Sequence, residues 1–185
     1  YPALSLDRAA YDAGNPRPAP KTYKLLVLEN RYLRLGILPE LGGRIYECVF
    51  KPTGANEFYA NPVVMPTQWG PGAPPNVPGA NWWLGAGGLE WGFPVEEHGY
   101  EFGTVWGYDH VSRPDGSVMI TVYTQTGPER PYAVVDIILP PDTAYFVIQP
   151  HVTNPLGAPF RFKFWSNAML APARPNTVSP DRRFV

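Results

Sequence analysis

Short apolar segments with alternating polar positions recur along most of the chain. The segment Arg31-Tyr32-Leu33-Arg34-Leu35-Gly36-Ile37-Leu38 alternates large apolar residues with arginine, a pattern typical of a strand with one buried face. An apolar-rich segment at 23–29 precedes it across Glu29-Asn30, and together they predict a β-hairpin. Pro39-Glu40-Leu41-Gly42-Gly43 then turns the chain into a third predicted strand at 44–50.

Further predicted strands follow at regular intervals, separated by turn residues. They are placed at 57–59, 104–111, 117–123, 132–139, 144–154 and 160–167. Residues 60–81 are rich in Pro, Gly and Asn and are predicted to form a long loop. No segment of eleven or more residues shows a helical apolar period with caps. The pattern therefore predicts an all-β, antiparallel architecture, with a sandwich as the way to cover both faces of the strands.

Prolines set both ends of the chain apart from this strand-rich middle. Residues 1–22 are predicted to be an extended Pro-rich arm, residues 23–170 the β-sandwich, and residues 171–185 an exposed loop or tail that a protease could nick. A sandwich that stops after the strand at 160–167 leaves an unpaired sheet edge. We therefore expect an incomplete or nicked sandwich, in which Val185 is not the biological terminus and a second chain or a continuation supplies the missing strands.

Composition narrows the classes of partner. The 185 residues, 44% of them apolar, suffice to bury the core of one domain. A net charge of −1 with scattered Lys and Arg argues against nucleic acid, and no apolar run approaches the ~20 residues that span a bilayer. The single Cys48 excludes an intrachain disulfide and is predicted to be a small core residue. The chain opens on Tyr1 rather than Met, so the compartment stays open, with a compositional lean towards an extracytoplasmic or secreted protein.

The densest candidate chemistry lies between Asn81 and Tyr100. These residues include Trp82, Trp83 and Trp91, a diglycine, three glutamates and His98. Indole rings offer a stacking face to the C–H surface of a sugar, glycines let the backbone approach a ligand, and carboxylates accept sugar hydroxyl hydrogens. The alternative is that the aromatic residues fill a β-sheet core and the glycines serve turns.

Glu90 and His98 are the predicted acid-base pair. Opening a pyranose ring needs a base at the anomeric hydroxyl and an acid at the ring oxygen, and a histidine paired with a carboxylate can supply both. The structural alternatives are a Glu90 that hydrogen-bonds backbone at a turn and a solvated loop histidine. A two-carboxylate glycosidase built from Glu90 with Glu96 or Glu97 is a further alternative.

Arg44 is predicted to bind the sugar rather than to transfer protons. Its guanidinium is a rigid donor fork for sugar oxygens, and the alternative is an ion pair with Glu47 or Glu57. Trp82 and Trp83 are expected to point to opposite sides of an extended segment, so that one stacks on ligand and the other packs inward. The carboxylates and histidines lack any metal-ligand spacing, so neither a metal nor a cofactor is predicted.

Several segments in order resemble the galactose mutarotase-like (aldose 1-epimerase) superfamily, over about residues 24–170. Leu28-Glu29-Asn30-Arg31-Tyr32-Leu33-Arg34 and Leu38-Pro39-Glu40-Leu41-Gly42-Gly43-Arg44-Ile45 are similar to its opening hairpin, and Gly87-Gly88-Leu89-Glu90-Trp91-Gly92-Phe93-Pro94 to its glycine-rich site segment. Val152-Thr153-Asn154-Pro155 with Phe164-Trp165-Ser166-Asn167-Ala168 resembles a later hairpin that ends in an aromatic-polar-Asn element. The likeness is closest to an uncharacterised bacterial branch often joined to helical repeats. It implies a β-supersandwich, a carbohydrate ligand, and a substrate-binding role for Arg44, Trp82, Trp83, Trp91 and Asn167.

Two positions depart from the classical mutarotase pattern. Ala86 stands before the diglycine, and Lys163-Phe164 stands where a second histidine is expected; the glutamate base has no assignable counterpart. The predicted function is therefore a carbohydrate-binding mutarotase-like domain that recognises a neutral sugar by aromatic stacking and polar contacts, as part of a larger glycan-processing enzyme. The alternatives are a catalytic aldose 1-epimerase or glycoside-processing enzyme that uses Glu90 and His98, and a structural or interaction module.

Overall fold

The computed structural model describes residues 4–68, 79–95, 98–172 and Asn176. These residues form one six-residue helix, α1 (Arg8–Ala13), and twelve strands. The strands are β1 (Leu26–Glu29), β2 (Leu33–Leu38), β3 (Arg44–Phe50), β4 (Ala55–Asn56), β5 (Ala60–Pro66), β6 (Leu84–Gly87), β7 (Leu89–Gly92), β8 (Gly107–Ser112), β9 (Val118–Tyr123), β10 (Tyr132–Leu139), β11 (Val147–Thr153) and β12 (Trp165–Ala168). Within the described residues, no helix is long and apolar enough to cross a membrane.

The strands assemble into three sheets whose pairings are antiparallel. A six-stranded sheet has the order β1-β2-β3-β7-β12, with β4 paired to β3, and a four-stranded sheet has the order β11-β10-β9-β8. The two-stranded sheet β5-β6 stands beside them. The prediction of an all-β, antiparallel fold is confirmed.

The hydrophobic core lies between the two larger sheets. One half comes from the six-stranded sheet, where Leu35, Ile37 and Ile45 are fully buried, and the other from the four-stranded sheet, where Val122 and Ile137 are fully buried. These residues belong to one contiguous apolar cluster, so the two sheets pack face to face as a sandwich.

Asn30 ties the two sheets together at the β1–β2 hairpin. Its Oδ1 accepts hydrogen bonds from the backbone N–H groups of Tyr32 and Leu33, both at 2.8 Å. Its Nδ2 donates to the carbonyls of Pro140, at 2.8 Å, and Thr143, at 2.9 Å, in the turn between β10 and β11. One side chain therefore closes the predicted hairpin and fixes it against the opposite sheet.

The structure differs from the sequence prediction in several regions. β6 and β7 are strands that were not predicted, and β4 at Ala55–Asn56 stands in place of the strand predicted at 57–59. The predicted loop at 60–81 contains β5 over Ala60–Pro66, which pairs with β6; its two prolines are tolerated because β5 pairs on one side only. The middle of that predicted loop, 69–78, lies outside the described residues. Within the predicted extended arm, α1 forms because the Asp7 side chain accepts a hydrogen bond from the Ala10 N–H and so caps the first turn.

Candidate functional site

Arg44 lies at the start of β3 with no exposed surface. Its guanidinium donates to three backbone carbonyls, those of Leu41 at 2.9 Å, Gly87 at 3.0 Å and Phe102 at 3.1 Å. Its Nη2 also lies 2.9 Å from Glu90 Oε2 in a buried ion pair. Burial lowers the pKa of the guanidinium, and the Glu90 carboxylate opposes that shift. Arg44 thus joins three segments of backbone to one carboxylate and points away from solvent.

Glu90 is the centre of the buried polar group. It lies on β7 and is 2% exposed. Besides its ion pair with Arg44, its Oε1 contacts His98 Nδ1 and lies 3.4 Å from the Nδ2 of Asn167. Arg44 therefore pairs with Glu90 and with neither alternative considered above, Glu47 or Glu57. Glu47 pairs with Arg34 instead.

The sequence brings these residues together through sheet register. Ile45 of β3 pairs with Leu89 of β7, and Asn167 of β12 pairs with Glu90. Because successive side chains alternate between faces, Arg44, Glu90 and Asn167 share the face of the six-stranded sheet opposite the core. We call this side the polar face: the side that carries Arg44, Glu90, Asn167 and Trp165.

Two glycines allow the backbone to make these approaches. Gly88 joins β6 to β7 with φ 78°, and a Cβ there would lie 2.4 Å from the Ile45 carbonyl oxygen. Gly99 follows His98 with φ 65°, and a Cβ there would lie 2.4 Å from the Phe93 nitrogen. Only a residue without a side chain fits either position, so the glycines fix how Glu90 and His98 meet.

Trp82 and Trp83 make different contacts, although both are half-buried. The Trp83 ring stacks on the His98 imidazole, with centroids 4.4 Å apart and planes 16° apart. Trp82 packs edge-on against Phe102 at 5.1 Å, and its buried Nε1 has no hydrogen-bond partner among the described residues. Trp83 is therefore the indole that touches the candidate acid-base pair.

The remaining predicted binding residues divide between core and surface. Trp91 is 2% exposed, belongs to the core cluster and donates its Nε1–H to the Gly43 carbonyl at 3.1 Å. It has no surface to offer a ligand in this conformation. Asn167 is half-buried on the polar face.

Trp165 is a candidate that the sequence reasoning did not assign to the site. It is 49% exposed and pairs with Gly92 of β7, two residues along the strand from Asn167. Side chains two apart in a strand share a face, so Trp165 lies on the polar face beside a residue with no side chain. The signal was present in the Phe164-Trp165-Ser166-Asn167 segment, where the period of two pairs Trp165 with Asn167.

A protein-family model and a solved structure are similar to this chain. A family model described as "Domain of unknown function (DUF5107)" matches residues 4–184. The chain belongs to this family. A solved structure of a TPR-domain containing protein from Parabacteroides distasonis ATCC 8503 is similar to 84% of the chain, with 23% sequence identity and a TM-score of 0.71. At that identity the likeness shows the fold alone. The chain spans 25% of the length of that protein.

The buried residues Arg44, Glu90 and His98 give this DUF5107 domain a histidine that is oriented by a carboxylate. Because His98 Nδ1 faces the Glu90 carboxylate, its Nε2 is the ring nitrogen left to exchange a proton or accept a hydrogen bond. Arg44 supplies the counter-charge that a buried carboxylate needs. Among the described residues, no group of three or more His, Cys, Asp or Glu side chains is arranged to hold a metal ion. Glu96 and Glu97, the partners in the glycosidase alternative, lie outside the described residues.

Proposed function

We propose that this DUF5107 domain binds a neutral sugar on the polar face of the six-stranded sheet. The observation that carries the proposal is the contact chain Trp83–His98–Glu90, in which an indole stacks on an imidazole that is oriented by a buried carboxylate. Aromatic rings beside a few fixed polar groups suit a sugar, whose C–H face stacks and whose hydroxyls exchange hydrogen bonds.

Charge favours a neutral ligand at this position. The Glu90 carboxylate is matched by the Arg44 guanidinium at 2.9 Å, so the pair presents no net charge to a ligand. The guanidinium of Arg44 donates hydrogen bonds to three carbonyls and pairs with Glu90. In the proposal, Arg44 therefore positions Glu90 and does not contact the sugar. The ligand contacts are instead assigned to His98, Asn167 and the indoles of Trp83 and Trp165.

The sequence likeness adds support of a different kind. The segment 87–94 that positions Glu90 is the one that resembles the glycine-rich site segment of the galactose mutarotase-like superfamily. Membership in that superfamily, with its supersandwich architecture, is part of this proposal.

Calorimetric titration of the full-length protein with a panel of neutral monosaccharides tests the proposal. We expect Trp83→Ala to weaken binding by about 2- to 12-fold, which corresponds to the ~0.5–1.5 kcal/mol of an aromatic contact. The matched control is Tyr145→Ala, which removes an aromatic side chain that is 58% exposed near β11. Absence of binding across the panel, or equal losses in both variants, contradicts the proposal.

A catalytic role is the second candidate, and the Glu90–His98 contact favours it. A carboxylate that orients Nδ1 of a histidine leaves Nε2 as a general base or acid, which suits mutarotation. Polarimetry with freshly dissolved sugar measures this directly. The catalytic reading predicts turnover by the wild type that Glu90→Gln and His98→Gln abolish while circular dichroism shows both variants folded. A wild type that binds sugar without accelerating mutarotation leaves binding as the function.

A further inference from the structure

A cavity lies apart from the candidate site, beside the amino-terminal arm and β5. It consists of two adjoining spaces of about 280 Å³ each. The two spaces adjoin, because four residues line both of them: Lys21, Tyr23, Pro62 and Val64. Each space is close to the lower end of the range of ~300–1,000 Å³ that is usual for small-molecule sites.

The charges that line this cavity are mainly positive. Arg17 is exposed and forms no ion pair or hydrogen bond with any of the described residues, and Lys21 lies with its Nζ 4.8 Å from the centroid of the Tyr23 ring. Among the described lining residues one is acidic, Glu47, and it is already paired with Arg34. An entering ligand therefore meets two cations that carry no carboxylate partner among the described residues.

Tyrosines supply the remaining chemistry of the cavity. Tyr11 lines one space, Tyr46 the other, and Tyr23 both. Tyr46 donates its hydroxyl hydrogen to the Asn61 carbonyl at 3.0 Å, and burial raises its pKa, so it stays a neutral phenol. Phenol rings offer flat apolar surface and their oxygens accept hydrogen bonds.

We propose that this cavity binds a hexose that carries one carboxylate or phosphate group. The guanidinium of Arg17 matches the two oxygens of either anion, and the Lys21 ammonium adds a point charge beside it. The tyrosine rings of the wall pack against the sugar. The cavity thus differs from the polar face, where the Arg44 guanidinium is neutralised by Glu90.

Titration of the full-length protein with glucuronate, glucose 6-phosphate and glucose at low ionic strength tests this inference. We expect one or both anionic sugars to bind more tightly than glucose, with an affinity that falls as salt is added. Arg17→Gln and Lys21→Gln should each weaken that binding by roughly tenfold or more, because each removes a charge-assisted hydrogen bond. The matched control is Arg161→Gln, another exposed arginine without a partner among the described residues, which should leave the affinity unchanged.

Several outcomes overturn the proposal. They are failure of both anionic sugars to bind, glucose binding as tightly as they do, inorganic phosphate binding as tightly as glucose 6-phosphate, and an equal loss in Arg161→Gln. Binding of only one anionic sugar identifies the group that the cavity accepts and supports the proposal. Trp83→Ala should leave this binding intact, so failure of the neutral-sugar proposal is distinguishable from failure here.

Discussion

Arg44 and Ile45 are neighbours in β3, both without exposed surface, yet they are held on opposite faces of the six-stranded sheet by different forces. Ile45 packs into the apolar core, where many weak contacts add up and small changes in shape are tolerated. Arg44 sits among three carbonyls and one carboxylate, where each polar partner depends on the others. Burial alone therefore does not predict how a position responds to substitution.

The largest expected effect comes from breaking the ion pair on the polar face. Arg44→Met should destabilise the protein by about 3–5 kcal/mol, because it leaves the Glu90 carboxylate buried without its counter-charge. Urea unfolding followed by circular dichroism measures the change. The control is Arg34→Met at the half-exposed Arg34–Glu47 pair, where a loss of about 0–1 kcal/mol is expected.

A double variant sharpens this prediction. Arg44→Met combined with Glu90→Leu should cost less than the sum of the two single changes, since it removes both charges at once. If Arg44→Met costs no more than Arg34→Met, the polar face is not an interdependent network.

A smaller loss of stability is expected from a substitution on the core face of the six-stranded sheet. Ile45→Val removes one methylene from a packed site and should cost about 0.5–1.5 kcal/mol in the same unfolding experiment. Neutral-sugar affinity should not change, because the side chain points away from the polar face. A change of sugar affinity in this variant would show that the two faces are coupled.

Among these predictions, the one for Cys48 has the smallest expected effect on stability at neutral pH. Burial raises the pKa of its thiol to about 11, so the thiolate needed for reaction with a thiol reagent is scarce in the folded protein at pH 8. This pKa of the folded protein exceeds the ordinary thiol value of 9.0. The thiol's contribution to stability is therefore present below about pH 9 and is lost as pH rises through 11.

Two measurements check this behaviour. Labelling at pH 8 should be slow in the native protein and fast in urea, and the unfolding free energy should fall between pH 9 and 11 in the wild type but less in Cys48→Ala. Native labelling as fast as in urea would contradict the burial of Cys48.

Local patterns in the sequence predicted most of the strands because alternation is a local property. The segments 44–50 and 132–139 were predicted with the bounds that β3 and β10 have. The prolines of β5 concealed a strand, because they read as loop signals wherever their pairing partner is unknown.

The candidate site was only partly predictable. All of its members except Trp165 were named from the sequence, and the structure brings Arg44, Glu90, His98, Trp83 and Asn167 together. The pairing of Arg44 with Glu90 depends on the register of β3 against β7, which a local pattern does not encode. The same register turns Trp91 into the core, although its neighbour Glu90 faces the other way.

Indole NMR signals test the central claim, that the polar face binds a neutral sugar, most directly. The six tryptophans each give one indole N–H signal, assigned by single Trp→Phe variants, in a ¹H–¹⁵N spectrum of the full-length protein titrated with neutral monosaccharides. The account predicts saturable shifts for Trp83, while the core indoles of Trp91 and Trp106 stay unchanged. Titrations in which no signal moves with any sugar, or in which Trp91 and Trp106 move as much as Trp83, would contradict it.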